Sequence, residues 1–433
     1  MSAPALGAVL FLPMTTSTQP RLLLIAPHNS YRIAPYLKAA ESLGAAVTIA
    51  SAGEHSLISV ISQGLHIDFS DPEQALSEIL TAAEQTPFDA ILGSDDMSVA
   101  LAAAAAKALG LTHNPPEAAL FARRKDLARA CLQKAGVAVP VHSRIELHQS
   151  LSAQLEKLDY PCVLKPLAMS GSRGVIRVDD IESAQSAISR IMGILREVED
   201  PDESDAILAE SFIEGREVAY EGLLSGGELT TLAMFDKPDP LNGPFFEESY
   251  YISPSRLPHE LQEKVKVTVA AACSAYDLKQ GPVHAECRID NDDKVWVLEV
   301  AARTIGGECA RLVELATGQS LEKLVVAQLL GMQLPRIEFK GGAGVLMIPI
   351  PRAGILRRIE GTIEARAIPG VEELVISVRD GHELKPLPEG SSYLGFIYAV
   401  AESAEQVEQV LRAAHEKLNI VTAPIFKLQS VST

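Results

Sequence analysis

Residues 281–307, GPVHAECRIDNDDKVWVLEVAARTIGG, alternate apolar and polar side chains on both sides of an Asn291-Asp292-Asp293 turn. Period-2 alternation is the mark of a strand with one buried face. With Asp292-Asp293 as a two-residue hairpin loop, residue 291 pairs with 294, 290 with 295, and Glu286 with Glu299. One face then holds Val283, Ala285, Cys287, Ile289, Trp296, Leu298 and Val300. The other holds His284, Glu286, Arg288, Val297 and Glu299, and Arg303 as well if the strand continues. Carboxylates directly opposite one another repel. At about 4 Å and an effective dielectric near 20 the cost is roughly 4 kcal/mol. A bound Mg²⁺, a hard cation that takes oxygen ligands, turns that repulsion into attraction. The other account is a solvated hairpin whose carboxylates splay apart or pair with Arg288 or Arg303.

Upstream, YPCVLKPL (160–167) reads as a strand bearing Lys165, kept extended by Pro166. Ser170-Gly171-Ser172-Arg173-Gly174 follows, and then a second strand. Such a loop can lay backbone N–H groups over phosphates. No Lys-Ser/Thr and no helix follow it, so it is neither a Walker A loop nor a dinucleotide fingerprint; a plain surface turn is the alternative. In AILAESFIEGREVAYEGLL (206–224), Glu210 ends an apolar strand, Ser211–Ile213 connect, and Glu217 begins an alternating strand. A connector of that kind offers main-chain groups to an adenine edge and a carboxylate to ribose hydroxyls, or it is simply an acidic linker.

The rest of the chain supplies the frame. RLLLIA (21–26), AAVTIAS (45–51) and FDAILG (88–93) read as strands alternating with helices, the sign of a parallel α/β sheet. This first domain is expected over 20–115, after a loose tail to about Pro20. A linking helix is expected over 116–141, a lid over 142–210, and a strand-rich region with a carboxyl-terminal subdomain over 211–433. The chain is 433 residues with a formal charge of −18, and 47% of it is hydrophobic. That balance suits two to three soluble domains at about 150 residues each. So acidic a surface weighs against nucleic acid and anionic membranes. Cys131, Cys162, Cys273, Cys287 and Cys309 are odd in number with no C-x-x-C spacing, as expected of reduced thiols. No run reaches the roughly 18 apolar residues of a spanning helix. A cytoplasmic protein is expected.

In order and spacing, VLKP…SGSRGV…AESFIEGREV…HAE…LEVAAR…GG resembles the ATP-grasp superfamily, most strongly over about Phe121–Gly318. MFDKPDPLNGPFFEESYYISPSRLP (234–258) and EVAAR bring it nearest to carboxylate–amine ligases of the L-amino-acid ligase type, which make dipeptides. The resemblance implies an ATP-grasp fold, mixed α/β and α+β, with an N-terminal parallel domain, a mobile lid and a strand-rich C-terminal domain. It implies that Lys125 and Lys165 hold ATP phosphates under a lid loop of Ser170, Gly171, Ser172 and Gly174. Glu210 and the backbone of Phe212 and Ile213 match an adenine hinge, and Glu217 a ribose carboxylate. Glu286 and Glu299 match the carboxylates for one or two Mg²⁺ ions, with Mn²⁺ as a substitute. Where many members place an Asn ligand, this chain has Ala301. Arg303 matches the arginine that steadies a substrate carboxylate or acyl phosphate.

The implied reaction is attack of a carboxylate on ATP, then displacement of phosphate by an amine. His284 is either a base for that amine or part of the polar face. Lys237 either touches substrate or lies on the surface. Gly306-Gly307, as the start of a helix, would aim N–H groups at an anion. The expected partners are small-molecule carboxylates and amines, with a homodimer admissible. A biotin-carboxylase-like or purine-synthesis enzyme is the alternative, although the chain has no Met-Lys-Met biotin site. The combination of Lys125, Lys165, Glu286 and Glu299 weighs against a non-catalytic nucleotide sensor.

Overall fold

A computed structural model describes residues 19–52, 63–198, 203 and 205–425. The expected N-terminal tail falls almost wholly outside them. Four sheets organise the described chain. The first is parallel, in the spatial order 63–66, 46–51, 21–25, 90–93. Its central strand, Arg21–Ile25, is an apolar run buried on both faces, as parallel strands are. The helix Asp96–Leu109 follows the last strand. A capping box between Asp95 and Ser98 opens it, and Gly110, at φ 68°, closes it in the left-handed region.

The expected linking helix is two helices, Pro116–Arg123 and Lys125–Lys134. Arg124 is extended between them, and the Lys125 N–H bonds the carbonyl of Leu167 at 2.8 Å. The break therefore sets Lys125 at a helix start, facing the lid. The lid is a four-stranded antiparallel sheet in the order 142–146, 206–211, 162–165, 176–178, packed on the helix Ile181–Leu195.

An eight-stranded sheet forms the body, in the order 295–301, 281–289, 216–225, 228–237, 250–253, 342–348, 395–401, 371–376. The carboxyl-terminal subdomain thus continues the same sheet. A three-stranded sheet, in the order 383–384, 354–360, 419–423, lies beyond it. The 211–433 region also contains a 17-residue helix, His259–Ala275, that the alternation of Lys264–Val269 hides. This helix covers one face of the body sheet through Val265, Val269 and Cys273. The opposite face meets the N-terminal domain and the helices Ala310–Thr317 and Leu321–Leu329. Among the described residues no helix is long and apolar enough to cross a membrane. All five cysteines are free.

Candidate functional site

Register builds the floor of the site from four adjacent strands. In one row Lys237 pairs with Glu217, and Glu217 with Arg288. In the next, Phe235 pairs with Ala219, Ala219 with Glu286, and Glu286 with Glu299. In the third, Glu221 pairs with His284 and His284 with Ala301. Alternation makes this pattern: Glu217, Ala219 and Glu221 share one face, while Val218, Tyr220 and Leu224 enter the core on the other.

The expected pairing of Glu286 with Glu299 is present, but the turn end of that hairpin is shifted by one residue. Ile289 pairs with Val295, and a bulge opposite Glu286–Cys287 restores the register. A bulge sends later side chains to the other face. Val297 is therefore in the core rather than on the polar face, and so is Val295. Trp296 instead donates to Asp290 at 2.7 Å, and Leu298 lines the site beside Glu299.

Lys237 is not on the surface. It is 6% exposed, and its Nζ lies 2.8 Å from Glu217, 2.9 Å from Glu248 and 2.9 Å from Glu286. One oxygen from each of these three acids lies within 4.8 Å of the others. Burial disfavours the ammonium, but the three acids outweigh it and hold the Lys237 pKa well above its ordinary value. Glu286 is held below the usual carboxylate range: burial opposes ionisation, and Lys237 and His284 overcome it. Glu248 goes the other way, to about 7, through burial and the charge of Glu286, despite Lys237. Tyr251 donates to Glu248 at 2.5 Å.

His284 is buried between Glu221, 3.3 Å from Nδ1, and Glu286, 3.7 Å from Nε2. Burial lowers its proton affinity, but these acids raise it further, so the pKa lies above 6.5. That shift makes the imidazolium harder to deprotonate. Glu221, fully buried, also accepts from the Ile305 N–H at 3.2 Å. Glu299 stands apart from the Lys237 cluster, 3.6 Å from Lys125 Nζ.

On the lid side, Lys165 Nζ lies 2.5 Å from Glu210, whose other oxygen accepts from Arg129 Nε at 2.5 Å. Burial raises the Glu210 pKa, but Arg129 and Lys165 bring it down to about 2. Both oxygens of Glu210 are thus engaged by cations. The Phe212 N–H donates to Pro161, and the Ile213 carbonyl accepts from Arg288 Nη1. Glu217 is likewise shared between Lys237 and Arg288, the latter at 2.9 Å. Lys125 Nζ donates to the Met169 carbonyl at 2.7 Å.

Most of these groups, though not Lys237, Glu221 or Arg129, surround a cavity of about 470 Å³. Lys125, Lys165, Ser170, Gly171, Ser172, Glu210, Phe212, Ile213, Glu217, His284, Glu286, Glu299 and Arg303 line it. Gly174 does not; its N–H is bound to the Pro388 carbonyl at 2.9 Å. Val163, Val175, Phe212 and Phe246 make one wall apolar. Arg303 lies past the strand end at Ala301, on the same side as Glu299, with its guanidinium forked onto Asp96. Gly306 and Gly307 do not begin a helix, since the next one starts at Ala310. Gly307 has φ 62°, and a Cβ there would clash with Met347 Sδ.

Glu248, Tyr31 and Ser391–Tyr393 also line the cavity and were not legible as site residues. For Glu248 the available signal was a pair of acids inside the aromatic run FFEESYY. Tyr31 and Ser391–Tyr393 reach the site from sequence too distant for any spacing rule.

Family models agree with this architecture in three places. An ATP-grasp domain model matches residues 158–311, an ATP-grasp N-terminal domain model 37–113, and an L-amino acid ligase C-terminal domain 2 model 346–423. This chain belongs to the ATP-grasp superfamily. A solved ATP-grasp relative is the L-amino acid ligase from Bacillus licheniformis, 29% identical at a TM-score of 0.78. The match covers 94% of this chain and 100% of that one. The alanine–anticapsin ligase of Bacillus subtilis (strain 168) is 27% identical over 277 residues, 60% of this chain and 58% of that protein. The chain therefore spans less than two thirds of that curated relative. N5-carboxyaminoimidazole ribonucleotide synthetase from Thermotoga maritima, 15% identical at a TM-score of 0.68 over 94% of this chain and all of that one, shares the ATP-grasp fold alone.

Proposed function

We propose that this protein is an ATP-dependent carboxylate–amine ligase that forms an amide, a peptide bond between amino acids, and releases ADP and phosphate. The observation that carries the reading is one cavity with three chemistries in sequence. An apolar wall of Val163, Phe212 and Phe246 suits a base; Lys125, Lys165 and the 170–172 backbone suit phosphates; carboxylates and Arg303 lie beyond.

The carboxylate donors fit Mg²⁺, a hard ion that takes oxygen ligands and keeps several waters. Glu286 and Glu299 would hold it, since they pair across the hairpin and both reach the cavity. Ala301 offers no ligand atom, so the chain supplies two carboxylates where many relatives supply a third group. Mn²⁺, which favours the same oxygen ligands, would substitute. When bound, the ion would neutralise phosphate charge.

Oxide is too poor a leaving group for direct amide formation from a carboxylate. Transfer of the γ-phosphoryl group to the acid makes an acyl phosphate, and the amine then displaces phosphate. The protein needs little covalent chemistry for this; it aligns reactants and offsets spread charge through Lys125, Lys165 and Arg303. His284, whose proton affinity Glu221 and Glu286 raise, is less suited to act as a base than a free imidazole. Glu210 would support Lys165, and Glu217 would reach ribose only by sharing its oxygens with Lys237 and Arg288.

The test is ADP release with Mg²⁺-ATP over pairs of amino acids and small carboxylic acids. Release that needs both an acid and an amine is expected, and Glu299→Ala abolishes it with the fold intact. Release driven by bicarbonate and biotin would instead favour the carboxylase branch.

A further inference from the structure

In the first domain the strand order 63–66, 46–51, 21–25, 90–93 reverses direction between the last two strands. In open parallel sheets, ligands bind in the crevice outside the carboxyl ends of strands at such a switch point. Here the loops that leave those strands, 26–32 and 94–96, receive the segment 303–305 of the same chain. Arg32 donates to the Ser94 carbonyl at 2.8 Å and the Ile305 carbonyl at 3.0 Å. In the reverse direction, Arg303 donates from Nε to Asp96 Oδ1 at 2.9 Å and from Nη2 to Asp96 Oδ2 at 3.0 Å. Arg303 Nη1 donates to the Thr304 carbonyl at 3.1 Å.

A guanidinium has five N–H donors. These three bonds leave two without a partner among the described residues, one on each terminal nitrogen. Asp96 takes the side-on edge made by Nε and Nη2, so the edge available for an end-on fork is the one between Nη1 and Nη2, on a side chain that lines the cavity. Such a fork matches a carboxylate or phosphoryl group bidentately. Asp95 caps the helix and leaves its neighbour Asp96 for Arg303.

We propose that Asp96, contributed by the N-terminal domain, is a positioning residue. Its side-on pairing fixes the plane of the Arg303 guanidinium, so that the end-on fork meets the substrate carboxylate without first being ordered. The inference rests on the ligase reading. Holding the fork in advance removes an ordering cost that substrate binding would otherwise meet. Asp96→Asn turns one acceptor into a donor opposite an N–H and removes the charge; Asp96→Glu keeps the charge on a side chain one methylene longer.

The experiment measures KM for the carboxylate substrate and for ATP in Asp96→Asn, Asp96→Glu, Arg303→Met and the double variant Asp96→Asn/Arg303→Met. Asp96→Asn is expected to raise the carboxylate KM by about tenfold or more with the ATP KM nearly unchanged. Asp96→Glu should fall between it and the wild type, and carries the test alone if Asp96→Asn does not fold. In the Arg303→Met background Asp96→Asn should add nothing, because coupled residues are non-additive. A wild-type carboxylate KM in Asp96→Glu and Asp96→Asn, or an equal Asp96→Asn effect in both backgrounds, overturns the proposal. If the wild type releases no ADP with any acid, the ligase reading falls instead. The ¹⁵N-detected Nε–H of Arg303 then judges the clamp: slow exchange lost in Asp96→Asn supports it, and no difference overturns it.

Discussion

The ammonium of Lys237 lies 2.9 Å from the carboxylate of Glu286, one of the two acids proposed to hold a divalent cation. Glu217 and Glu248 complete a cage around it, so a built-in cation sits among three acids. Removing one partner from a buried ionic cluster leaves the others uncompensated and costs about 3–5 kcal/mol. Lys237→Met should therefore be destabilised by that order, and Mg²⁺ alone should restore much of the loss by filling the cage. Thermal melts with and without Mg²⁺ check this. A variant as stable as the wild type, or one indifferent to Mg²⁺, contradicts the picture of the cage.

The acids of that cage pull stability in opposite directions with pH. Glu248, raised to about 7, binds its proton more tightly folded than unfolded. Its contribution is fullest below its unfolded pKa near 4.5 and is lost as pH rises to 7. Glu286, with its pKa lowered, contributes above its unfolded value and loses that contribution in acid. Glu248→Gln, which mimics the neutral acid, should flatten the decline between pH 5 and 7. Parallel declines in variant and wild type would show that another group titrates.

The lid rests on the carboxyl-terminal subdomain through Arg190, which forks onto Glu389 at 2.8 and 2.9 Å. Arg173 Nε donates to the Glu389 carbonyl, and the Gly174 N–H to that of Pro388. Ser391 and Tyr393, just beyond, line the cavity. An acyl phosphate survives only where water is excluded. Glu389→Gln should speed amide exchange in 170–174 and raise phosphate release that is not matched by amide. Unchanged exchange in that loop would show that the fork does not hold the lid.

The sequence reading reached as far as local periodicity reaches. Alternation in 281–289 placed His284, Glu286 and Arg288 on one face, as found. The bulge at Leu298 was invisible, since Val295, Trp296, Val297 and Leu298 are all apolar and no polar residue marks the slip. The helix His259–Ala275 was missed because Lys264–Val269 alternates like a strand, and packing on the body sheet overrides that preference. Lys237 needed strand pairing: only with 228–237 and 281–289 on either side of 216–225 do Glu217 and Glu286 converge on it, and Glu248 arrives from the segment before 250–253. The Asp96–Arg303 fork joins residues 207 apart, beyond any spacing argument.

Arg303→Lys offers a further check on how the acid is held. An ammonium cannot serve Asp96 side-on and a substrate carboxylate end-on together. Amide formation should drop by the equivalent of about 2–4 kcal/mol while ATP binding persists. Retained turnover per folded molecule, with lowered thermal stability, would make Arg303 a structural residue only.

The acyl-phosphate route is tested most directly by following oxygen. With a carboxylate substrate labelled with ¹⁸O at both oxygens, one labelled oxygen bridges to phosphorus and leaves with it when the amine attacks. Mass analysis of the released phosphate should find one ¹⁸O atom per amide formed. Amide formed with unlabelled phosphate would contradict the account.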